Sequence, residues 1–228
     1  MESYPYTTAV ILAAGSGTRM GCPTAKQEIR ILGESLLRHT VRAFENSSVR
    51  AIVVVVRADE TAFAEEACRG FSKVKRIVVG GADRRASAAL GFAAIPEESG
   101  LVALHDAARP LITPRDIDAT VRLAAECGAA IPVSEVTDTV KAVGEDGCVR
   151  ATYDRATLRL AATPQVFRTD WYATALAARA TGVTDDSMLL ESIGKPVHTC
   201  LLSDENRKVT TQSDLAYAEY IMERRKRT

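Results

Sequence analysis

The sequence predicts an α/β fold in which helices cover both faces of an open, mostly parallel sheet. Short apolar runs of strand length alternate with longer segments of helical spacing, the pattern of repeated βαβ units. The run at 51–56 is Ala-Ile-Val-Val-Val-Val, a composition typical of a parallel strand that is buried on both faces. At 228 residues and 46% hydrophobic content, the chain is expected to form one domain, 1–228, with a substantial core.

Five strands and four intervening helices are predicted in the first 133 residues. The strands are 9–12, 51–56, 76–79, 101–104 and 129–133. The helices are 35–45, 59–69, 82–94 and 114–127, the last with a proline suited to its first turn. Ligands of such Rossmann-like sheets lie beyond the carboxyl ends of the strands, so the loops that follow these strands should form the site.

The pattern changes over 134–158. Two thinly alternating segments, 138–143 and 148–153, flank Gly-Glu-Asp-Gly and predict a protruding β-hairpin. An isolated two-stranded hairpin is marginal in water, so this arm is expected to pack on a second subunit. Beyond it we predict helices at 170–180 and from Thr184, a strand at 197–202, and a final helix capped by Thr211 or Ser213.

A loop of small residues follows the first strand and indicates a phosphate site. Glycines without a Cβ let backbone N–H groups approach an anion closely. Arg19 adds a charged fork and Lys26 a mobile point charge, which together with the loop suit a polyphosphate. The nucleotide-binding residues predicted here are Ala13, Ala14, Gly15, Ser16 and Gly17.

Two common glycine motifs are poor matches to this loop. A Walker A loop requires Gly-Lys-Ser/Thr, whereas Gly17 is followed by Thr18 and Arg19. The dinucleotide fingerprint requires a third glycine where this chain has Met20. Its ribose-binding carboxylate should also lie about 20 residues on, well before the end of the second strand.

Two further strand ends carry polar residues. Asp106 ends the fourth strand, where a carboxylate beside a triphosphate suits Mg²⁺; capping a helix or pairing with Arg109 is the structural alternative. His105 beside it is expected to be a packed residue. Asp83 and Arg84, after the third strand, are consistent with a helix cap and a solvated charge.

Composition excludes several partners. Lys+Arg and Asp+Glu both number 29, so the chain offers no net field for nucleic acid or membrane. The five cysteines are scattered without a Cys-x-x-Cys, which argues against a disulfide framework or zinc site. With no apolar stretch of about 18 residues, a soluble cytoplasmic protein is expected.

The motifs resemble those of a known family. Leu-Ala-Ala-Gly-x-Gly-x-Arg-Met at 12–20, Lys-Gln at 26–27 and His-Asp-Ala-Ala-Arg-Pro at 105–110 resemble the 2-C-methyl-D-erythritol 4-phosphate cytidylyltransferases, within the sugar-nucleotidyltransferase superfamily. The resemblance implies cytidylyl transfer from CTP to that polyol phosphate with Mg²⁺, release of pyrophosphate, and a homodimer built through the 134–158 arm.

The resemblance also implies roles for individual residues. Catalytic roles fall on Arg19, Lys26, Arg155 and Lys208. Contacts to the nucleotide fall, besides the glycine loop, on Gly81, Asp83, Arg84, Ser87 and Ala107. Contacts to the acceptor fall on Asp106, Arg109, Thr139, Thr163 and Thr184, with Asp106 also near the metal.

Charge placement is consistent with that chemistry. A phosphate monoester has a second pKa of about 6, so it attacks as an anion without a general base. The site must then supply positive charge to two polyanions, as Arg19, Lys26, Arg109, Arg155 and Lys208 would. The alternatives are a ribitol-5-phosphate cytidylyltransferase, a non-catalytic nucleotide-binding regulator, and an NADP oxidoreductase that uses Arg57.

Overall fold

The computed structural model describes residues 5–15, 29–178, 180–203 and 205–227. Within these residues an eight-stranded sheet forms the centre of the molecule. Its strands are β1 (Thr7–Leu12), β4 (Ala51–Val56), β5 (Val74–Val79), β6 (Leu101–Asp106), β7 (Ala129–Glu135), β10 (Arg159–Ala161), β11 (Gln165–Arg168) and β12 (His198–Leu201). Two small hairpins lie apart from it: β2 (Arg30–Ile31) with β3 (Glu34–Ser35), and β8 (Val140–Val143) with β9 (Val149–Tyr153).

The sheet is mixed but mostly parallel, as predicted. The strand order is β10-β7-β11-β6-β1-β4-β5, and β12 also pairs with β7. Strands β1, β4, β5 and β6 run parallel to one another, as do β7 and β12. β11 runs antiparallel between β6 and β7, an insertion that the sequence did not predict.

The described residues form seven α-helices. They are α1 (Leu36–Glu45), α2 (Thr61–Cys68), α3 (Arg84–Ala93), α4 (Pro114–Cys127), α5 (Thr169–Ala177), α6 (Asp186–Ser192) and α7 (Gln212–Arg227). Alternate residues of β1 face opposite cores: Ile11 packs with α1, α2 and α4, and Val10 with α3, α5 and α6. Both faces are therefore covered, and the Rossmann-like α/β prediction is confirmed. A third, smaller core joins α7 to β2 and α1.

Several predicted boundaries shift by a few residues. The strand predicted to end at Leu104 continues to Asp106, so His105 and Asp106 are part of β6. The helix predicted at 59–69 is split into a 3-10 turn at Ala58–Glu60 and α2, and α5 ends at Ala177 rather than at residue 180. None of the described helices combines the length and apolar character that a membrane crossing requires.

The predicted hairpin is present as β8 and β9, which pair only with each other. Every residue of β9 is exposed. Three large side chains of the hairpin are about half exposed: Val143 at 57%, Val149 at 60% and Tyr153 at 53%. The predicted hairpin is thus present, and it carries apolar side chains that its own chain leaves exposed.

Candidate active site

The carboxyl ends of β1, β4, β5 and β6 bring the predicted loops to one edge of the sheet. Leu12 and Asp106 are partners in the β1–β6 register. The Ala13 N–H donates to the Val55 carbonyl at 2.7 Å, and the Ala107 N–H donates to the Leu12 carbonyl at 2.9 Å. Ala13, Ala14, Gly15 and Ala107 therefore lie where predicted, whereas Ser16, Gly17, Arg19 and Lys26 are outside the described residues.

The loop after β5 approaches this edge closely because it contains glycine. A Cβ on Gly80 would lie 2.8 Å from the Ala14 Cβ and 2.7 Å from the Ser87 Oγ. A Cβ on Gly81 would lie 2.5 Å from the Ala86 Cβ. Gly80 therefore allows the loop to pack against Ala14, which follows β1, and Gly81 allows it to pack against the first turns of α3.

Side chains at the start of α3 hold this loop in place. The Ser87 Oγ accepts from the Gly81 N–H at 3.1 Å and donates to the Asp83 carbonyl at 2.8 Å. The Asp83 carboxylate accepts from the Ala86 N–H at 2.7 Å and so caps the helix. These residues shape the loop, and the exposed Gly81 backbone stays accessible to a ligand.

Asp106 is the centre of a charged cluster, which we call the Asp106 cluster: Asp106, Arg84, Lys208, Arg109 and Asp186. The Arg84 Nε donates to Asp106 Oδ1 at 3.2 Å, and the Lys208 Nζ donates to Asp106 Oδ2 at 2.7 Å. Arg84 also donates from Nη1 to Asp186 Oδ2 at 2.6 Å. Three cations and two carboxylates give this cluster an excess positive charge.

The cluster keeps Asp106 ionised. Burial by itself would raise the pKa of the Asp106 carboxyl, but the charges of Arg84 and Lys208 outweigh it and hold that pKa well below its ordinary value. Burial would lower the pKa of the Arg84 guanidinium, and the two carboxylates instead raise it. For Arg109, burial dominates and lowers the pKa.

A ring of hydrogen bonds supports the cluster from below. His105 Nδ1 lies 2.9 Å from the Thr163 Oγ1, which also accepts from the Asp106 N–H at 3.2 Å. The Asn206 Nδ2 donates to the Thr163 carbonyl at 2.9 Å, and the Arg109 Nη1 donates to the Asn206 carbonyl at 2.8 Å. His105 Nε2 lies 3.4 Å from the Arg109 carbonyl and closes the ring.

The partners fix the His105 tautomer. A carbonyl only accepts, so Nε2 carries the proton and Nδ1 accepts from the Thr163 hydroxyl. The hydroxyl proton of Thr163 is therefore donated to His105, and the residue as a whole is only 5% exposed. Thr163, predicted as an acceptor contact, supports the Asp106 backbone in this structure.

A cleft of about 570 Å³ opens beside the cluster. Arg109, Asn206 and Lys208 line one side of it, and Ser134 and Thr137, at the base of the arm, line another. The Arg109 Nε is buried and has no hydrogen-bond partner in the described part of the chain. Three cationic side chains, Arg109, Arg207 and Lys208, thus line a cleft that could receive an anion.

Three predicted residues make no hydrogen bond or ion pair with the Asp106 cluster within the described part of the chain. Arg155 is exposed at the end of the arm and donates to the Thr137 carbonyl, and Thr139 is exposed just before β8. The Thr184 hydroxyl donates to the Met188 sulfur at 3.1 Å.

Asp106 is the carboxylate that could hold Mg²⁺ at this edge. No group of three or more His, Cys, Asp or Glu residues with metal-binding geometry occurs among the described residues. Mg²⁺ commonly uses one or two carboxylates and completes its shell with substrate phosphates and water. One ionised carboxylate at a phosphate site therefore fits that ion.

Comparison with known proteins identifies the family. The model of the 2-C-methyl-D-erythritol 4-phosphate cytidylyltransferase (IspD) family matches residues 7–224. The chain belongs to this family. The enzyme of this name from Pelotomaculum thermopropionicum is 41% identical over 224 residues, which cover 95% of this chain and 94% of that enzyme. The enzyme of the same name from Alkaliphilus oremlandii is 36% identical over 99% of both chains.

Solved structures carry the same fold. The crystal structure of 4-diphosphocytidyl-2C-methyl-D-erythritol synthase from Anaerococcus prevotii superposes with a TM-score of 0.85 at 28% identity, covering 96% of both chains. The match to the cytidylyltransferase family includes the arm as well as the segment that carries Lys208. Arm and Asp106 cluster thus both lie within the region that this cytidylyltransferase shares with its family.

Sequence reasoning missed two residues of this site, one in the Asp106 cluster and one in the hydrogen bonds that support it. The helix predicted from Thr184 places Asp186 at its start, where a carboxylate is typical of a cap. In the structure Asp185 is the cap and Asp186 turns inward to Arg84. Asn206 lies in the segment Asn-Arg-Lys-Val-Thr at 206–210, which gives no indication that the Asn206 side chain donates to the Thr163 carbonyl.

Proposed function

We propose that this protein transfers a cytidylyl group from CTP to 2-C-methyl-D-erythritol 4-phosphate and releases pyrophosphate. The observation that carries the proposal is the Asp106 cluster: an ionised carboxylate, with Arg84, Lys208 and Arg109 around it, at the carboxyl end of β6 beside an open cleft. Family membership supplies the two substrates.

The chemistry requires positive charge rather than a base. An oxygen of the acceptor phosphate attacks the α-phosphorus of CTP, a new P–O bond forms, and the bond to the β-phosphate oxygen breaks. The acceptor phosphate has a second pKa of about 6 and attacks as an anion. His105 is not a base for this step, since it is fully buried and both of its ring nitrogens are engaged.

The cations divide between the two substrates. Arg109 and Lys208 line the cleft and are suited to hold the acceptor phosphate in line with the α-phosphorus, a positioning role. Arg19 and Lys26 are proposed to neutralise the triphosphate and the leaving pyrophosphate. Mg²⁺ at Asp106 would supply further charge stabilisation for the phosphates when it is bound.

The site is proposed to be completed by a second subunit. Arg155 and Thr139 lie on or beside the arm; both are exposed, and neither is hydrogen-bonded to Asp106 of its own chain. The apolar side chains of the hairpin are exposed as well, so pairing would bury them. A homodimer that exchanges arms would bring Arg155 to the acceptor in the neighbouring cleft. A cytoplasmic location is proposed with it.

The proposal is tested by pyrophosphate release from CTP and Mg²⁺ with either 2-C-methyl-D-erythritol 4-phosphate or ribitol 5-phosphate as acceptor. We expect turnover with the first, and a Lys208→Ala variant should lose about two orders of magnitude in kcat. Lys75→Ala is the matched control, since Lys75 is exposed and donates to the Ser72 carbonyl. Turnover with ribitol 5-phosphate and none with 2-C-methyl-D-erythritol 4-phosphate would show that the acceptor is ribitol 5-phosphate. CTP binding without any turnover would indicate a nucleotide-binding regulator.

A further inference from the structure

Arg84 lies between two carboxylates, those of Asp106 and Asp186. Its Nε donates to Asp106 Oδ1 at 3.2 Å, and its Nη1 donates to Asp186 Oδ2 at 2.6 Å. Asp186 is distant in sequence, at the start of α6 on the same face of the sheet as α3. The Arg84 guanidinium therefore connects the start of α3, beside the β5–α3 loop, to the start of α6.

Asp186 is not needed to begin its helix. Asp185 caps α6 by accepting from the Met188 N–H at 3.1 Å. The second Asp186 oxygen, Oδ1, instead accepts from the Tyr172 hydroxyl at 2.8 Å. Asp186 is 2% exposed. A carboxylate so deeply buried is costly unless it is paired, so its two contacts account for its position.

Tyr172 anchors this contact in the core. Its side chain is fully buried, and its ring lies 5.0 Å from the ring of Phe92 and 5.7 Å from that of Phe167. Tyr172, Asp186, Arg84 and Asp106 thus form a continuous line of contacts from the rigid core to the site, which we call the Arg84 line.

We propose that Asp186 is a positioning residue for nucleotide binding, acting through Arg84. Asp186 holds the Nη1 of Arg84, so that the Nε of the same guanidinium faces Asp106. The orientation of Arg84 beside the β5–α3 loop is therefore set before the nucleotide binds. Such preorganisation lowers the ordering cost of binding. The inference depends on the proposed function, because it assumes that the β5–α3 loop receives CTP.

An asparagine at position 186 should disturb this arrangement with little change in volume. If its oxygen accepted from the Tyr172 hydroxyl, its NH₂ group would face the Arg84 Nη1, and two donors would meet. Arg84 would then lose a fixed partner and move toward Asp106 or solvent. Asp186→Asn is therefore expected to weaken CTP binding, measured as Kd by isothermal titration with Mg²⁺, by about tenfold.

A double-mutant cycle separates this role from a merely structural one. We expect Asp186→Asn to change the Kd less than about twofold when it is made in an Arg84→Gln background, because the residue through which it acts is gone. Partial unfolding would lower the binding stoichiometry and leave the Kd unchanged. Equal effects in both backgrounds, or an unchanged Kd in Asp186→Asn alone, would overturn the inference.

Two further variants complete the design. Tyr172→Phe removes one hydroxyl contact to Asp186 and should raise the Kd by about threefold in the wild-type background only; it replaces Asp186→Asn if that variant does not fold. Asp185→Asn is the matched control, since it weakens the same helix start but lies off the Arg84 line. Failure of the wild type to bind CTP would refute the proposed function itself. If the wild type binds CTP but the double-mutant cycle shows no coupling between Asp186 and Arg84, only the role of Asp186 is refuted.

Discussion

The imidazole of His105 is fully buried at the end of β6, and burial lowers its pKa from 6.5 to about 3. It stays neutral in the folded protein, with Phe44 packed against it at a ring distance of 5.0 Å. Its two hydrogen bonds hold Thr163 and the Arg109 carbonyl. The residue supports the site through neutral hydrogen bonds, and protonation would break one of them.

This burial predicts a specific dependence of stability on pH. Between pH 6.5 and about 3 the unfolded chain binds a proton at position 105 that the folded chain excludes. The free energy of unfolding therefore falls as the pH drops through this window, by up to about 1.4 kcal/mol per pH unit from this group. The loss begins below the unfolded pKa, since the folded pKa is depressed.

Urea denaturation of the metal-free protein at several pH values between 7 and 4 checks the prediction against a His105→Asn variant. The variant should be less stable at pH 7, and the difference from wild type should shrink steadily toward pH 4. Other titrating groups contribute equally to both proteins. Curves that stay parallel would show that His105 titrates normally.

At the level of single residues, the sequence predicted the charged side chains that belong to short recognisable motifs. Asp106, Arg109 and Lys208 lie in or beside short motifs at strand ends or loops, and the structure brings them together. Asp186 was assigned differently, because the direction in which a buried carboxylate turns depends on Tyr172 and Arg84, which are distant in sequence. Such pairings depend on the tertiary fold.

Among the elements, the β5–α3 loop depends on Gly80 in a way that can be measured. Gly80→Ala would place a methyl group 2.8 Å from the Ala14 Cβ and 2.7 Å from the Ser87 Oγ. The loop must shift away from the residues after β1, so we expect the Kd for CTP to rise by about tenfold or more.

The same substitution at the opposite end of the sheet provides the control. Gly100 precedes β6, where an added Cβ would lie 3.1 Å from the Pro5 Cβ. Gly100→Ala is expected to lower the melting temperature slightly and to leave the Kd for CTP unchanged. Similar weakening by both variants would point to general destabilisation instead of loop displacement.

Elements with strong periodicity were predictable, and short ones were not. The runs that became β4 and β6 are apolar and follow predicted helices, and α4 has helical spacing; all three lie where predicted to within about two residues. β11 has four residues, and it pairs with the free backbone hydrogen-bonding groups along the edges of β6 and β7. A run so short carries no periodicity from which to infer a partner.

For the whole molecule, arm exchange predicts recovery of activity by mixing. In an arm-swapped dimer each site would use Arg19 of one chain and Arg155 of the other. Mixed dimers of Arg19→Ala and Arg155→Ala subunits then contain one intact site each, and random reassociation should restore about a quarter of wild-type activity.

Co-expression of the two variants with different affinity tags, followed by tandem purification, gives the mixed dimer directly. Each variant alone serves as the baseline. Activity of the mixed dimer no greater than that of the two single variants would indicate that every site is built within one chain.

The position of β11 has a consequence for synthesis on the ribosome. By the time residue 135 has been made, β1, β4, β5, β6 and β7 all exist, yet β6 and β7 are not neighbours. The outer edge of β6 stays open until Gln165–Arg168 emerge from the exit tunnel and insert antiparallel. A nascent chain held at that stage would expose an unpaired parallel sheet edge, which other chains can join. Slow translation between residues 135 and 165 should therefore favour aggregation, and the molecule can close only after the arm has already been synthesised.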